Sequence, residues 1–170
     1  MSFKVTWKTH LICLFTAIII TESMGKILDI ILSNFLSRIS IRYPTDNLLF
    51  NFYVIVALTM ILICIIHELI HGMTFKLFGG KVKYGFKIIY AYTQEISNVP
   101  IDRSKFLIVL LSPVVVISIT STLFPPWIGG LIYFLNLIGS IGDIYMAFVL
   151  CKYNNDSKII DREYGFDVVK

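Results

Sequence analysis

The stretch "CIIHELIHGM", residues 64–73, carries a His-Glu-x-x-His pattern at the end of a long apolar run. His67 and His71 are four residues apart, so on a helix they project about 40° apart and about 6 Å along the axis. This spacing lets two imidazoles bind one Zn²⁺ ion, and Glu68, beside the first histidine, can act as a general base on water. The alternative is an apolar helix with two histidines at a membrane interface.

The composition favours a membrane protein. Hydrophobic residues make up 56% of the 170 residues, and the mean hydropathy is +0.79, whereas soluble domains hold about 45–50% apolar residues. About 20 apolar residues span the hydrocarbon layer as a helix, and four runs have about that length, at 5–21, 48–78, 106–124 and 127–150. We predict an all-α membrane protein with about four transmembrane helices in one polytopic domain, 1–170. Segment 26–39 either continues the first helix or lies at the membrane surface.

The lysines and arginines predict the orientation in the membrane. Twelve of them fall at the N-terminus, in the connection between helices two and three, and in the tail 151–170, against three on the other side. By the positive-inside rule, both termini and the tail are expected in the cytoplasm, with the chain in the cell membrane. Lipid is therefore an expected partner. Nucleic acid is not, because the chain has no basic block with interleaved aromatic residues.

A catalytic zinc ion needs a third protein ligand and an open position. Asp143, in "NLIGSIGDIYM", is the best candidate, because it is the one acidic residue besides Glu68 in the body of helices two to four. In the predicted topology, His67 lies about 28 Å along its helix from the outer end and Asp143 about 24 Å along its own, so the two share a depth. Ionisable residues inside a membrane are costly and usually functional, which favours the metal interpretation. His10 and Cys64 stay alternative ligands.

Two further features lie near this predicted site. Pro113, in "LLSPVV", frees a carbonyl and bends helix three, which either opens a path for water or substrate or serves packing alone. Residues 79–88, "GGKVKYGFKI", alternate polar and apolar side chains, and "IYAYT" follows. This period of two predicts a short cytoplasmic β-hairpin between helices two and three. Such a hairpin could bind a substrate strand at its edge or touch lipid headgroups.

Taken in order along residues 50–165, the segments "HELIHG", "FKLFGG", "YAYT", "LSP" and "NLIGSIGD" resemble the putative zincin peptidase family. That family is related to the site-2 protease clan of intramembrane metalloproteases. The resemblance implies Zn²⁺ as the cofactor, with His67, His71 and Asp143 as ligands and Glu68 as the catalytic base. It also implies that Asn136 orients the substrate or stabilises the oxyanion.

These observations predict a membrane-embedded zinc metalloprotease that hydrolyses a peptide or membrane-protein substrate at the cytoplasmic membrane edge. One alternative is a non-catalytic membrane protein that binds a peptide or protein partner in a protective or regulatory role. Glu68 favours the enzyme, since a binding groove has no need of a general base. A metal-ion transporter is disfavoured, because the polar residues converge near one face of the membrane and leave the outer half of the helices apolar.

Overall fold

The computed structural model describes residues 2–39, 45, 47–87 and 90–169. Most of the chain is helical. The described residues form six helices: α1 Trp7–Ser23, α2 Gly25–Ile39, α3 Leu48–Leu77, α4 Arg103–Ser121, α5 Pro126–Gly139 and α6 Ile141–Leu150. They also form six short strands: β1 Ser2–Lys4, β2 Val82–Lys87, β3 Tyr90–Glu95, β4 Ile101–Asp102, β5 Lys158–Arg162 and β6 Gly165–Val169.

Two to four spans are long and apolar enough to cross a membrane. α3 and α4 each qualify alone, and the pairs α1–α2 and α5–α6 qualify as spans bent by 75° and 48°. The predicted helix 127–150 is therefore two helices, with the bend at Ser140. The Ser140 hydroxyl donates to the Asn136 carbonyl at 2.8 Å, a side-chain bond of the kind that bends helices. These spans indicate an integral membrane protein.

Segment 26–39 was predicted either to continue the first helix or to lie at the membrane surface. In the structure it forms α2. It follows α1 after the 75° bend and packs against α5. Phe35 of α2 is 1% exposed and lies beside Leu131, with its ring centroid 5.9 Å from that of Trp127. α2 is thus packed into the helical bundle along this face.

The chain is mostly helical but not all-α, because it builds a four-stranded sheet besides the predicted hairpin. β2 and β3 form the predicted hairpin; residues 88–89 between them lie outside the described residues. Within the tail, residues 158–169 form the hairpin β5–β6 inside a four-stranded sheet of order β1-β6-β5-β4. The strands are too short for a polar–apolar alternation to stand out in the sequence. The hairpin nevertheless packs on the core, where Ile159 and Phe166 are fully buried against Phe106.

Both termini lie at one end of the molecule, because β1 pairs with β6. The β2–β3 hairpin reaches the same end, where the Glu95 N–H donates to a carboxylate oxygen of Asp161 at 2.9 Å. We call this region the sheet end; it comprises the six strands with residues 67–77, 103–113 and 141–150 of the adjoining helices. The placement of this end in the cytoplasm stays a prediction.

Candidate metal centre

Three donor atoms converge at the sheet end. His67 Nε2 lies 2.9 Å from Asp143 Oδ2 and 3.1 Å from His71 Nε2, and His71 Nε2 lies 3.6 Å from Asp143 Oδ2. Each histidine is 8% exposed. Asp143 reaches them from the first turn of α6, directly after the bend at Ser140. The structure thus brings together the three residues predicted as ligands; their role as ligands stays a prediction.

This arrangement fits a zinc ion. Donor atoms at about 2.0–2.1 Å from a tetrahedral ion lie about 3.3–3.4 Å from one another. The three observed separations scatter around that value. Within the described part of the chain, these are the three residues grouped closely enough to hold a metal, so His10 and Cys64 lie outside the cluster. Two imidazoles and one carboxylate leave a fourth position open, as in catalytic zinc sites.

The orientation of His71 is set by α4. Its Nδ1 lies 2.9 Å from the backbone carbonyl oxygen of Val109, and a carbonyl can only accept, so Nδ1 carries the proton. The other nitrogen, Nε2, then presents a lone pair to the cluster. A backbone carbonyl that fixes the tautomer of a ligand histidine is the usual support of metal sites.

A cavity of about 690 Å³ lies over the cluster and is lined by residues of both helices and strands. Glu68 lines it beside His67 and His71. Further polar or reactive residues in its wall are Thr9, His10, Cys13, Cys64, Tyr92, Thr93, Asn136, Asp161, Glu163 and Tyr164. The space is large enough for several residues of a peptide.

The β2–β3 hairpin holds the helical turn that carries Glu68. The Thr93 hydroxyl donates to the Glu68 backbone carbonyl at 2.7 Å. Tyr84 packs on Gly72, where an added Cβ atom would lie 2.1 Å from the tyrosine hydroxyl oxygen. The glycine after the second histidine therefore makes room for the hairpin, and Thr93 fixes the turn from the other side.

One backbone edge of β3 is not paired with β2. The Ile96 N–H donates to the Lys81 carbonyl at 2.7 Å, so by alternation the even-numbered amides of β3 face β2. The Glu95 N–H instead meets Asp161. The backbone groups of Ala91 and Thr93 share the Glu95 direction, and both residues line the cavity.

Asn136 does not join the donor cluster. Its side chain is completely buried in the cavity wall. The amide Nδ2 lies 3.4 Å from the Val114 carbonyl oxygen, and Oδ1 lies 3.5 Å from the Ser140 hydroxyl. These contacts connect α4 with the bend between α5 and α6. The predicted contact of Asn136 with substrate would require its side chain to become exposed.

Asp161, in the tail, was not among the predicted site residues. Its carboxylate lines the cavity and accepts the Glu95 N–H. Burial raises the pKa of the Asp161 carboxyl to about 7, against the opposing effect of that hydrogen bond. No periodicity in "KIIDR" pointed to it, because these residues do not alternate polar and apolar side chains.

Comparison with known proteins supports this chemistry at the level of the family. The "Uncharacterized 24.7 kDa protein in gap 5'region" of Pyrococcus woesei is 32% identical over 114 residues, which are 61% of this chain and 50% of that protein. The chain thus spans about half the length of this relative. No solved structure matches. The family described as "Putative zincin peptidase" matches residues 60–158, more than half of the chain and the part that holds all three donor residues. The chain belongs to the putative zincin peptidase family.

Proposed function

We propose that this chain is a membrane-embedded zinc metallopeptidase that hydrolyses peptide bonds at the cytoplasmic membrane edge. The observation that carries the proposal is the convergence of His67 Nε2, His71 Nε2 and Asp143 Oδ2 within one cavity that Glu68 also lines. A histidine pair and one carboxylate would hold the ion, and the general base comes from the residue next to the first ligand.

The chain's own residues would divide the work. When bound, zinc supplies a Lewis acid that polarises the scissile carbonyl and lowers the pKa of water. Glu68 takes the proton from the attacking water and passes it to the leaving amine. Val109 keeps His71 in the tautomer whose Nε2 is free. Asp143 would supply one negative charge, which balances part of the positive charge of the ion.

The edge of β3 suits an extended peptide substrate. Ala91 and Thr93 line the cavity and their backbone groups point away from β2, so a substrate segment can pair with them as an added strand. An extended segment exposes its backbone carbonyls, whereas a helical segment keeps them in internal hydrogen bonds. A membrane-protein substrate would therefore unwind locally before hydrolysis. The relation to the site-2 protease clan belongs to this proposal and rests on the order of "HELIHG" and "NLIGSIGD" along the chain.

The zinc content of the purified chain tests the proposal. Wild type in detergent should hold one zinc ion per chain after purification from zinc-replete cells. Asp143→Asn should lose it, because a neutral amide oxygen is a poor ligand. Asp161→Asn is the matched control, since it changes a carboxylate of the same cavity outside the donor cluster, and it should keep the ion. A metal-free wild type would overturn the proposal.

Hydrolysis is measured with the chain in lipid nanodiscs and a library of quenched fluorescent peptides. Glu68→Gln should keep its zinc and lose hydrolysis by about 10²–10⁴-fold, the usual contribution of a general base. If wild type holds zinc and binds peptides without cleaving any, the non-catalytic binding function is supported instead. Cleavage that is unchanged in Glu68→Gln would contradict the role of Glu68.

A further inference from the structure

Pro113 lies inside α4, where a proline is normally unfavourable. It has no N–H, so it leaves the carbonyl of the residue four positions earlier without its helical partner, and its ring pushes that carbonyl away from the axis. The residue four positions earlier is Val109. This is the carbonyl that accepts the hydrogen bond from His71 Nδ1 at 2.9 Å.

The Val109 carbonyl has no room for a further donor. A carbonyl oxygen has two lone pairs. One accepts from His71 Nδ1, and the Ser112 hydroxyl donates to the same oxygen at 2.9 Å. In an uninterrupted helix, the backbone N–H of residue 113 would be a third donor to this oxygen. Proline has no N–H, so this third donor is absent.

The surroundings give His71 little alternative. Val109 is 1% exposed and Pro113 is fully buried, so water does not compete for this carbonyl. The second donor, Ser112, is itself held in place, because it lies 2.9 Å from the Thr74 hydroxyl of α3. Thr74 stands one turn beyond His71 on the same helix. The two helices are thus joined at the ligand histidine through one carbonyl.

We propose that Pro113 is a positioning residue of the metal centre, which reserves the Val109 carbonyl for the Nδ1–H of His71 and so presents His71 Nε2 to the metal. The inference rests on the proposed function, since it takes His71 as a ligand. It explains why a helix that must cross the membrane carries a proline at the depth of the site.

The test measures zinc affinity of the full chain in detergent by competition with a chromophoric chelator. Pro113→Ala restores an N–H that competes for Val109, and the zinc Kd should rise about 10–100-fold, as when a supporting group of a ligand is lost. Ser112→Ala alone should leave the Kd near that of wild type. The double variant Ser112→Ala/Pro113→Ala frees a lone pair again and should regain most of the affinity.

This rescue separates the proposal from a role in packing. If Pro113 only bends or packs α4, removing the Ser112 hydroxyl cannot repair its loss, so a double variant as weak as Pro113→Ala would overturn the inference. A Kd of Pro113→Ala equal to that of wild type would overturn it as well. The visible spectrum of the cobalt-loaded chain gives a second readout, which should change in Pro113→Ala and return in the double variant.

One measurement on the unmodified chain is independent of how well the variants fold. Nitrogen NMR of ¹⁵N-histidine in the zinc-loaded wild type should show His71 protonated at Nδ1; protonation at Nε2 would overturn the inference. The outcomes also separate the two proposals. A wild type that takes up no zinc overturns the metallopeptidase and this inference together, whereas normal zinc binding by Pro113→Ala overturns only the role of Pro113.

Discussion

The two ends of α3 are in different environments. At what we call the apolar end, residues 48–63, six large side chains are between 56% and 66% exposed: Leu49, Phe50, Tyr53, Leu58, Ile61 and Leu62. At the sheet end of the same helix, Met73 and Leu77 are exposed as well, but His67, His71 and Phe75 are at most 8% exposed. An exposed apolar surface of this extent suits hydrocarbon, whereas the buried polar residues need specific partners.

The difference predicts where the chain is sensitive to change. At the sheet end, polar groups are tied to particular atoms. The Glu95 carboxylate, for example, accepts the backbone N–H groups of Lys81, Ser97 and Asn98 at 2.8–3.2 Å. At the apolar end, side chains meet a solvent that adapts to them. A substitution there should cost little, while the same substitution at the sheet end should alter the hairpin or the donor cluster.

The largest effect is expected at Asp161. Its carboxyl has a pKa of about 7 in the folded chain against an ordinary value of 3.8. Between these pH values, Asp161 holds a proton in the folded chain that it has lost in the unfolded chain. Its contribution to stability is therefore complete below about pH 4 and is lost as the pH rises to about 7. The difference between the two pKa values corresponds to at most about 4 kcal/mol in the free energy of unfolding.

Thermal unfolding in detergent between pH 4 and 8 measures this effect. Asp161→Asn keeps an oxygen that can accept the Glu95 N–H but cannot ionise, so its unfolding temperature should exceed that of wild type at pH 8 and match it at pH 4. Asp156→Asn, at an exposed carboxylate of the same tail, is the control and should follow wild type. Parallel pH profiles for wild type and Asp161→Asn would refute the assignment.

The next effect compares alanine with glycine at the two ends of α3. At Gly72, a Cβ atom would lie 2.1 Å from the Tyr84 hydroxyl oxygen, so Gly72→Ala must displace the ring and the hairpin. Overpacking costs about 1–3 kcal/mol, which outweighs the roughly 1 kcal/mol that alanine contributes to a helix. Gly72→Ala should therefore lower the unfolding temperature.

The sign should reverse where Tyr84 is absent. In a Tyr84→Ala background, Gly72→Ala should stabilise the chain by about 1 kcal/mol through helix propensity alone. At the apolar end, Ala57 is exposed. Ala57→Gly should therefore destabilise the chain by about the same amount, through helix propensity alone. A stabilising Gly72→Ala in the otherwise unchanged chain would show that Tyr84 does not pack on Gly72.

Much of the sheet end could be predicted where side chains carry the signal. The histidine spacing, and a carboxylate at the same depth on another helix, led to the three residues that the structure brings together. The hairpin β2–β3 followed from the alternation of residues 79–88. Hydropathy indicated the spans, because the length of an apolar run reflects the thickness of the bilayer.

The rest of the sheet end depends on backbone groups, which every residue has and no sequence displays. Neither Val109 as the partner of His71 nor Glu68 as the acceptor of Thr93 involves the acceptor's own side chain. At the bend between α5 and α6, the Ser140 hydroxyl donates to a backbone carbonyl, that of Asn136. The strands β5 and β6 have five residues each, too few for alternation to separate them from a polar tail.

The smallest effect, and the most specific to the site, is expected at Thr93. Its hydroxyl donates to the Glu68 carbonyl at 2.7 Å, so Thr93→Val should cost about 0.5–1.5 kcal/mol of stability. Because the lost bond holds the turn that carries the proposed base, peptide hydrolysis should fall through kcat with little change in KM, and zinc content should stay that of wild type.

Two variants test whether this effect belongs to the sheet end. Thr93→Ser keeps the hydroxyl and should retain most of the hydrolysis. Thr120, exposed on α4, donates to the carbonyl of Val116 in its own helix at 2.7 Å, so Thr120→Val removes a bond of the same length far along α4 from the cluster. It should leave kcat unchanged. Equal losses of kcat in Thr93→Val and Thr120→Val would mean that a hydroxyl at either end matters only for folding.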